Sequence, residues 1–236
     1  MPPNVAIIHR VLSSGSSFSS LVGTEDGRRY VLKLSGAGSG RRALATEFVA
    51  LKCARCIGLN VPNAEVLAVA RNLPWQTGTD EFYEAVQRSV GLNLGVAFIA
   101  EAHDVAGTEL DSLPDIFADR LAAVDALLQN VDRTRANPNI LRGSAGAYWA
   151  IDFGACLLID RLARGDTRPR TTLPPNHLLA GRRGEEAVRG LAGLIDKEVL
   201  QQTIDALPDD WLADIGLPRT ELFQRLTNYL LAMNLE

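Results

Sequence analysis

Five polar side chains stand out for what they could do together: Lys33 in the run YVLKL, Glu47 in ATEFVAL, Asp132 and Asn137 in NVDRTRANPN, and Asp152 in IDFG. Phosphoryl transfer needs charge neutralised on the terminal phosphates, a cation to grip the inner ones, and a carboxylate to orient or deprotonate the attacking hydroxyl. Each need has a candidate here. Asp132 and Asn137 lie five residues apart, the spacing of catalytic aspartate and metal-binding asparagine in a kinase catalytic loop. Asp132 would handle the hydroxyl proton, and Asn137 would offer its amide oxygen to magnesium, a hard cation that takes oxygen ligands. Arg133 between them could offset the crowding of negative charge. Asp152 opens a D-F-G string fifteen residues after Asn137 and would bridge magnesium to two phosphates. Each signal also has an ordinary reading alone: a snorkelling strand lysine, a glutamate at a helix edge, an Asx-rich turn, a short chance match. Their common order and spacing favour the joint reading.

Particular elements must carry these residues. Residues 5–34 alternate apolar runs with Ser and Gly, broken by the turn signal Glu25-Asp26-Gly27, and read as strands joined by tight turns. Lys33 then shares a strand face with Val31, while Leu32 and Leu34 point the other way. Over residues 43–57 the apolar spacing becomes helical and stops at Gly58 and Pro62. Glu47 falls on the inward stripe Leu44, Phe48, Leu51 and Ala54, where a carboxylate needs a cation, and Lys33 is the natural partner. Residues 61–70 and 95–101 read as further strands. Phe117, Leu121, Val124 and Leu128 form a helical stripe leading into the Asp132 loop, and residues 140–142 and 148–151 flank a Gly-containing turn as a strand pair that ends at Asp152. Residues 161–184, polar with three prolines and many arginines, read as a long loop before closing helices around 185–206 and 219–232.

Composition narrows the classes. Apolar residues make up 47 % and charged residues 22 %, as in ordinary folded proteins. With 24 basic against 28 acidic residues, a net charge of -4 offers no basic field for nucleic acid or an anionic membrane. No stretch reaches the ~18 apolar residues of a membrane span, no secretory leader precedes the first strand, and three cysteines do not suggest a disulfide framework. A cytoplasmic protein is expected. Cys53 and Cys56 form a C-x-x-C inside a helix without a second pair and read as packing; His9, His103 and His177 show no metal-ligand spacing and receive no role; the arginines of 161–184 read as a solvated loop.

The segments SSGSSFSSLVGTEDGRRYVLKL, NVDRTRANPN and AYWAIDFGACL, with the Glu47 helix and its trailing GLNVP, resemble the HipA-like kinases, kin of the protein and phosphatidylinositol kinases. The resemblance implies an α+β, bilobal protein-kinase-like fold: a small antiparallel β-rich lobe over residues 1–102 that binds nucleotide, and a mainly helical lobe over 103–236 with the catalytic loop and metal-binding motif. It implies ATP and Mg²⁺, with Asp132, Lys33 and Glu47 catalytic, Asn137 and Asp152 on the metal, and Ser14, Gly15, Ser16, Ser17, Lys33 and Glu101 around the nucleotide. The acceptor it implies is a protein serine or threonine. A catalytically inactive nucleotide-binding module and a small-molecule or lipid kinase are the alternatives. The chain departs from the wider kinase pattern twice. A serine-rich turn replaces the G-x-G-x-x-G loop, and Asn130-Val131 replaces the His-Arg pair before the catalytic aspartate. Loss of that arginine removes a dock for a phosphorylated activation loop. Oligomeric state and any regulatory partner are not indicated.

Overall fold

The computed structural model describes residues 1–12, 17–74, 78–182 and 185–235, the side chains of 185–187 and 234–235 excepted. A five-stranded antiparallel sheet is built from β1 (Val5–Val11), β2 (Ser20–Thr24), β3 (Arg29–Lys33), β4 (Ala64–Val69) and β5 (Gly91–Ala97), in the order β1-β2-β3-β5-β4. Its two edges are joined by a bridge between Asn4 and Ala68, so the sheet curls almost closed. At the β2–β3 hairpin Gly27 takes φ +80°, a left-handed conformation that suits glycine because it carries no Cβ.

Alternation along β3 sets the two sides of this sheet. Tyr30, Leu32 and Leu34 enter a first core with Val22, Leu67 and Phe82; Val31 and Lys33 face the opposite side. Phe82 comes from α2 (Asp80–Arg88), a helix that the sequence reading does not contain. Its start was encoded: Thr79 accepts the Phe82 N–H, Asp80 and Glu81 occupy the positive end of the helix, and Phe82, Ala85 and Val86 make its buried face. β5 consequently begins at Gly91 and ends at Ala97, and Ala100-Glu101 form a turn rather than strand.

The second, larger core is shared by α1 (Gly40–Cys56), α3 (Asp115–Leu128), the hairpin β7 (Ile140–Arg142) and β8 (Tyr148–Ala150), and α4 (Leu158–Ala163), α5 (Glu185–Ala192), α6 (Lys197–Asp205), α7 (Asp209–Ile215) and α8 (Arg219–Leu235). A short β6 (His103–Asp104) pairs with β7 to complete a three-stranded sheet. The result is a two-lobed α+β fold. Helix α1 precedes β4 and β5 in the chain yet buries Phe48, Leu51 and Ala54 in the core of the helical lobe, against α6 and α7. A hydrogen bond fixes it there, Arg42 donating to the Asp214 carbonyl at 2.6 Å, while Trp211 of α7, fully buried, ties that helix to β5 by donating to the Leu92 carbonyl at 3.3 Å. Among the described residues no helix is long and apolar enough to cross a membrane.

Candidate active site

The lobes meet at Lys33. Its ammonium lies 2.7 and 2.5 Å from the two carboxylate oxygens of Glu47 and 2.8 Å from Asp152 Oδ1. Strand β3 aims the lysine away from the first core, the buried face of α1 presents Glu47, only 2 % exposed, and the end of β8 delivers Asp152. Two carboxylates thus share one cation. Burial pushes the Glu47 carboxyl up to about 6, aided by the second carboxylate of Asp152 and opposed by Lys33. Asp152 is partly withdrawn from water, which alone raises its pKa, but the Lys33 charge overrides this and holds it below the ordinary value. Lys33 itself is raised: burial works against its charge, and the two carboxylates outweigh burial.

Asp132 and Asn137 stand on the exposed loop after α3, where Asn137 Nδ2 donates to Asp132 Oδ2 at 2.7 Å. The asparagine is thereby oriented with its nitrogen toward the aspartate and its oxygen free to turn elsewhere. Three non-glycine residues around the site adopt left-handed backbone: Gln129 at the end of α3 (φ 58°), Asn139 before β7 (φ 50°) and Asp152 (φ 59°). Each costs roughly 1–2 kcal/mol; surrounding structure holds them where the loop leaves its helix, where it enters the hairpin, and where the hairpin releases Asp152.

Arg133 does offset negative charge, helping to hold Asp152 below its ordinary value, but from within the fold. It is fully buried behind the loop, not beside the exposed carboxylates: its Nε donates to Asp125 at 2.6 Å, its Nη1 to the Pro138 and Asn139 carbonyls, and its guanidinium lies 5.0 Å from the centre of the Phe153 ring. His177, given no role, is also buried, against Asp125. The arginines of 161–184 are only partly solvated, since Arg161 is buried and bonded to Asp166, while Arg182 pairs with Asp115 and Asp119.

A cleft of about 420 Å³ opens beside Lys33. Val31, Val96, Phe98, Leu141 and Ile151 supply apolar walls, and Lys33, Glu47 and Asp152 line it with charge. Ala97 at the end of β5, and Phe98 and Ile99 just past it, line it; Glu101 does not, lying exposed in the following turn with φ 53°. A second hollow of about 220 Å³ on the far side of Lys33 is lined by Ser17, the start of α1 and Gly154. Ser14, Gly15 and Ser16 lie outside the described residues. The structure therefore brings Lys33, Glu47 and Asp152 into direct contact, and Asp132 with Asn137. Sequence reasoning missed the apolar walls, whose only local signal was the alternation around Val31, and the buried group Asp125, Arg133 and His177, which carries none.

A curled antiparallel sheet over a helical lobe, with a strand lysine paired to a helix glutamate and an aspartate ending the hairpin below, defines a kinase-type phosphotransferase. Residues 5–160 match the model of the HipA-like kinases, and the chain belongs to that family. The fold is also similar to the crystal structure of a proinflammatory kinase, CtkA, from Helicobacter pylori, with a TM-score of 0.59 and 13 % identity over 99 % of this chain and 97 % of that one. Comparison with curated proteins gives no match.

Proposed function

We propose that this kinase transfers the γ-phosphoryl group of ATP, bound with magnesium, to the hydroxyl of a protein serine or threonine. The observation that carries the reading is Lys33, held between Glu47 and Asp152 in an apolar-walled cleft. An adenine ring suits the apolar walls, and the lysine, immobilised by two carboxylates, is ready to meet the inner phosphates without further ordering. Residues 1–102 act as the nucleotide lobe, with Ser14, Gly15, Ser16 and Ser17 binding its phosphates, and 103–236 carry the catalytic loop and metal-binding motif.

The donor set fits magnesium. Asn137 and Asp152 offer oxygens from exposed side chains, and among the described residues no group of three His, Cys, Asp or Glu could hold a metal alone. Two protein oxygens completed by phosphates and water is the pattern magnesium prefers. The ion, when bound, neutralises charge on the β- and γ-phosphates. Asp132, with Oδ2 engaged by Asn137, orients the acceptor hydroxyl and takes its proton through its other oxygen. Choice of a protein acceptor follows the family resemblance. A reducing cytoplasm suits the three cysteines, all free.

The test is transfer from γ-labelled ATP to a mixture of serine and threonine peptides with magnesium. Asp132→Asn should reduce transfer by about a thousandfold or more while nucleotide binding persists. Equal transfer by the two proteins would refute the assignment.

A further inference from the structure

We propose that His177 is a positioning residue for the catalytic loop, acting through Asp125. The inference rests on the phosphoryl-transfer reading for its activity readout, while its geometry is independent of it. Asp125, in the last turn of α3, is fully buried, and its carboxylate meets three donors. Oδ1 accepts from Asn130 Nδ2 at 3.0 Å; Oδ2 accepts from Arg133 Nε at 2.6 Å and faces His177 Nε2 at 3.1 Å. Asn130 relays the constraint forward, because its Oδ1 accepts the Asp132 N–H at 3.1 Å. Arg133 relays it across the loop, donating to the carbonyls of Pro138 and Asn139, just beyond Asn137, at 2.8 and 2.7 Å. One carboxylate thus governs the backbone at both ends of the segment that presents Asp132 and Asn137.

His177 holds that carboxylate in place, and its own hydrogen bonds define how. The Leu179 N–H donates to Nδ1 at 3.1 Å, so Nδ1 bears a lone pair and the proton of the neutral ring sits on Nε2, where it is donated to Asp125. The Leu178 N–H donates to the Arg133 carbonyl at 2.9 Å. Residues 177–179 are therefore fastened to the back of the loop by backbone and side chain together. A spacer could be apolar; an imidazole with both nitrogens engaged fixes one orientation of the carboxylate it touches. This brace lies beyond residues 5–160, the part the family model matches.

Three variants of the full chain separate positioning from mere packing. His177→Gln keeps a donor near the Nε2 position; His177→Asn keeps only an acceptor for Leu179; His177→Ala keeps neither. ADP formation from magnesium ATP is measured with the serine and threonine peptide mixture. Asn and Ala should lower kcat by about ten- to hundredfold with KM for ATP unchanged, and Gln should restore most of it. Similar kcat in Gln and Asn, whether high or low, overturns the proposal, as does a loss confined to KM. If Ala fails to fold, the Gln–Asn pair still decides. Absence of turnover in the unaltered protein would instead sink the phosphoryl-transfer reading. In that event amide exchange decides: in the Asn variant the Asp132 and Leu178 amides should exchange about tenfold faster than in the Gln variant, and equal rates overturn the brace.

Discussion

Replacing Glu47 by glutamine separates what this side chain does for the fold from what it does for the reaction. Glu47 is 2 % exposed and its pKa is raised from 4.5 to about 6 by burial. The folded state thus holds the proton more tightly than the unfolded chain, so between about 4.5 and 6 stability falls as pH rises. The shift of roughly 1.5 units corresponds to about 2 kcal/mol. Glutamine, an uncharged isostere, should remove that slope and leave the protein at neutral pH equally stable or more stable by up to about 2 kcal/mol, read from urea melts at pH 4.5 and 7. Activity should move the opposite way. Below about pH 6 the protonated glutamic acid loses its ion pair with Lys33, so kcat/KM should drop roughly fivefold from pH 6 to 5. ATP titrates nearby, and the variant isolates the enzyme's share: in Glu47→Gln the limb due to the protein should vanish and the rate should lie at the low-pH level throughout. A variant that is destabilised at pH 7 yet keeps the acid limb and full activity would refute both the pairing and its electrostatic account.

Three further outcomes follow from the same geometry. Lys33→Met should cost about a hundredfold or more in kcat and destabilise the protein at neutral pH by about 3–5 kcal/mol, because the buried Glu47 carboxylate is left beside Asp152 without its cation; single-turnover transfer and thermal melts check this. Asp125→Asn should destabilise by about 3–5 kcal/mol, because Arg133 is left buried without its counter-charge. Burial alone would raise the Asp125 pKa, but Arg133 and His177 hold it below the ordinary value, so its contribution is present above about pH 4 and is lost as pH falls through the folded value; the variant's stability should respond less to acid over that range. Thr79→Ala, which removes the cap of α2 far from the cleft, should cost about 1 kcal/mol and leave transfer unchanged.

The half of the site that lines the cleft could be read from the chain because its residues sit on regular elements or at fixed offsets. Lys33 followed from strand alternation, Glu47 from a helical stripe, and Asp152 from the end of an apolar strand. The buried half could not. Asp125 falls among the alanines and leucines of α3, where a periodicity argument sees one polar interruption, and its partners Arg133 and His177 lie eight and fifty-two residues away. An arginine in a polar loop is normally solvated; only the tertiary packing of α3 beneath that loop turns Arg133 inward. Helix α2 was missed for a different reason. Its cap and first-turn acids are present, but its nine residues bury only one narrow face of three side chains, too short a stripe to stand out between two apolar strands.

The inward turn of Arg133 also bears on control of the site. In a kinase whose catalytic aspartate follows an arginine, that side chain can dock a phosphorylated activation loop and so help bring the lysine–glutamate pair together. Here Asn130-Val131 stands before Asp132, and the arginine after it is consumed by Asp125 and three backbone carbonyls. Position of Glu47 is set instead by packing along α1, between the sheet on one side and α6 and α7 on the other, with Arg42 and Trp211 adding hydrogen bonds at that seam. Moving Glu47 away from Lys33 would require α1 to leave a continuous apolar core, burying less of Phe48, Leu51 and Ala54 at about 25 cal/mol per Å² exposed. The pair is therefore a consequence of the fold itself, and the chemistry of the cleft is coupled to the stability of the α1 seam.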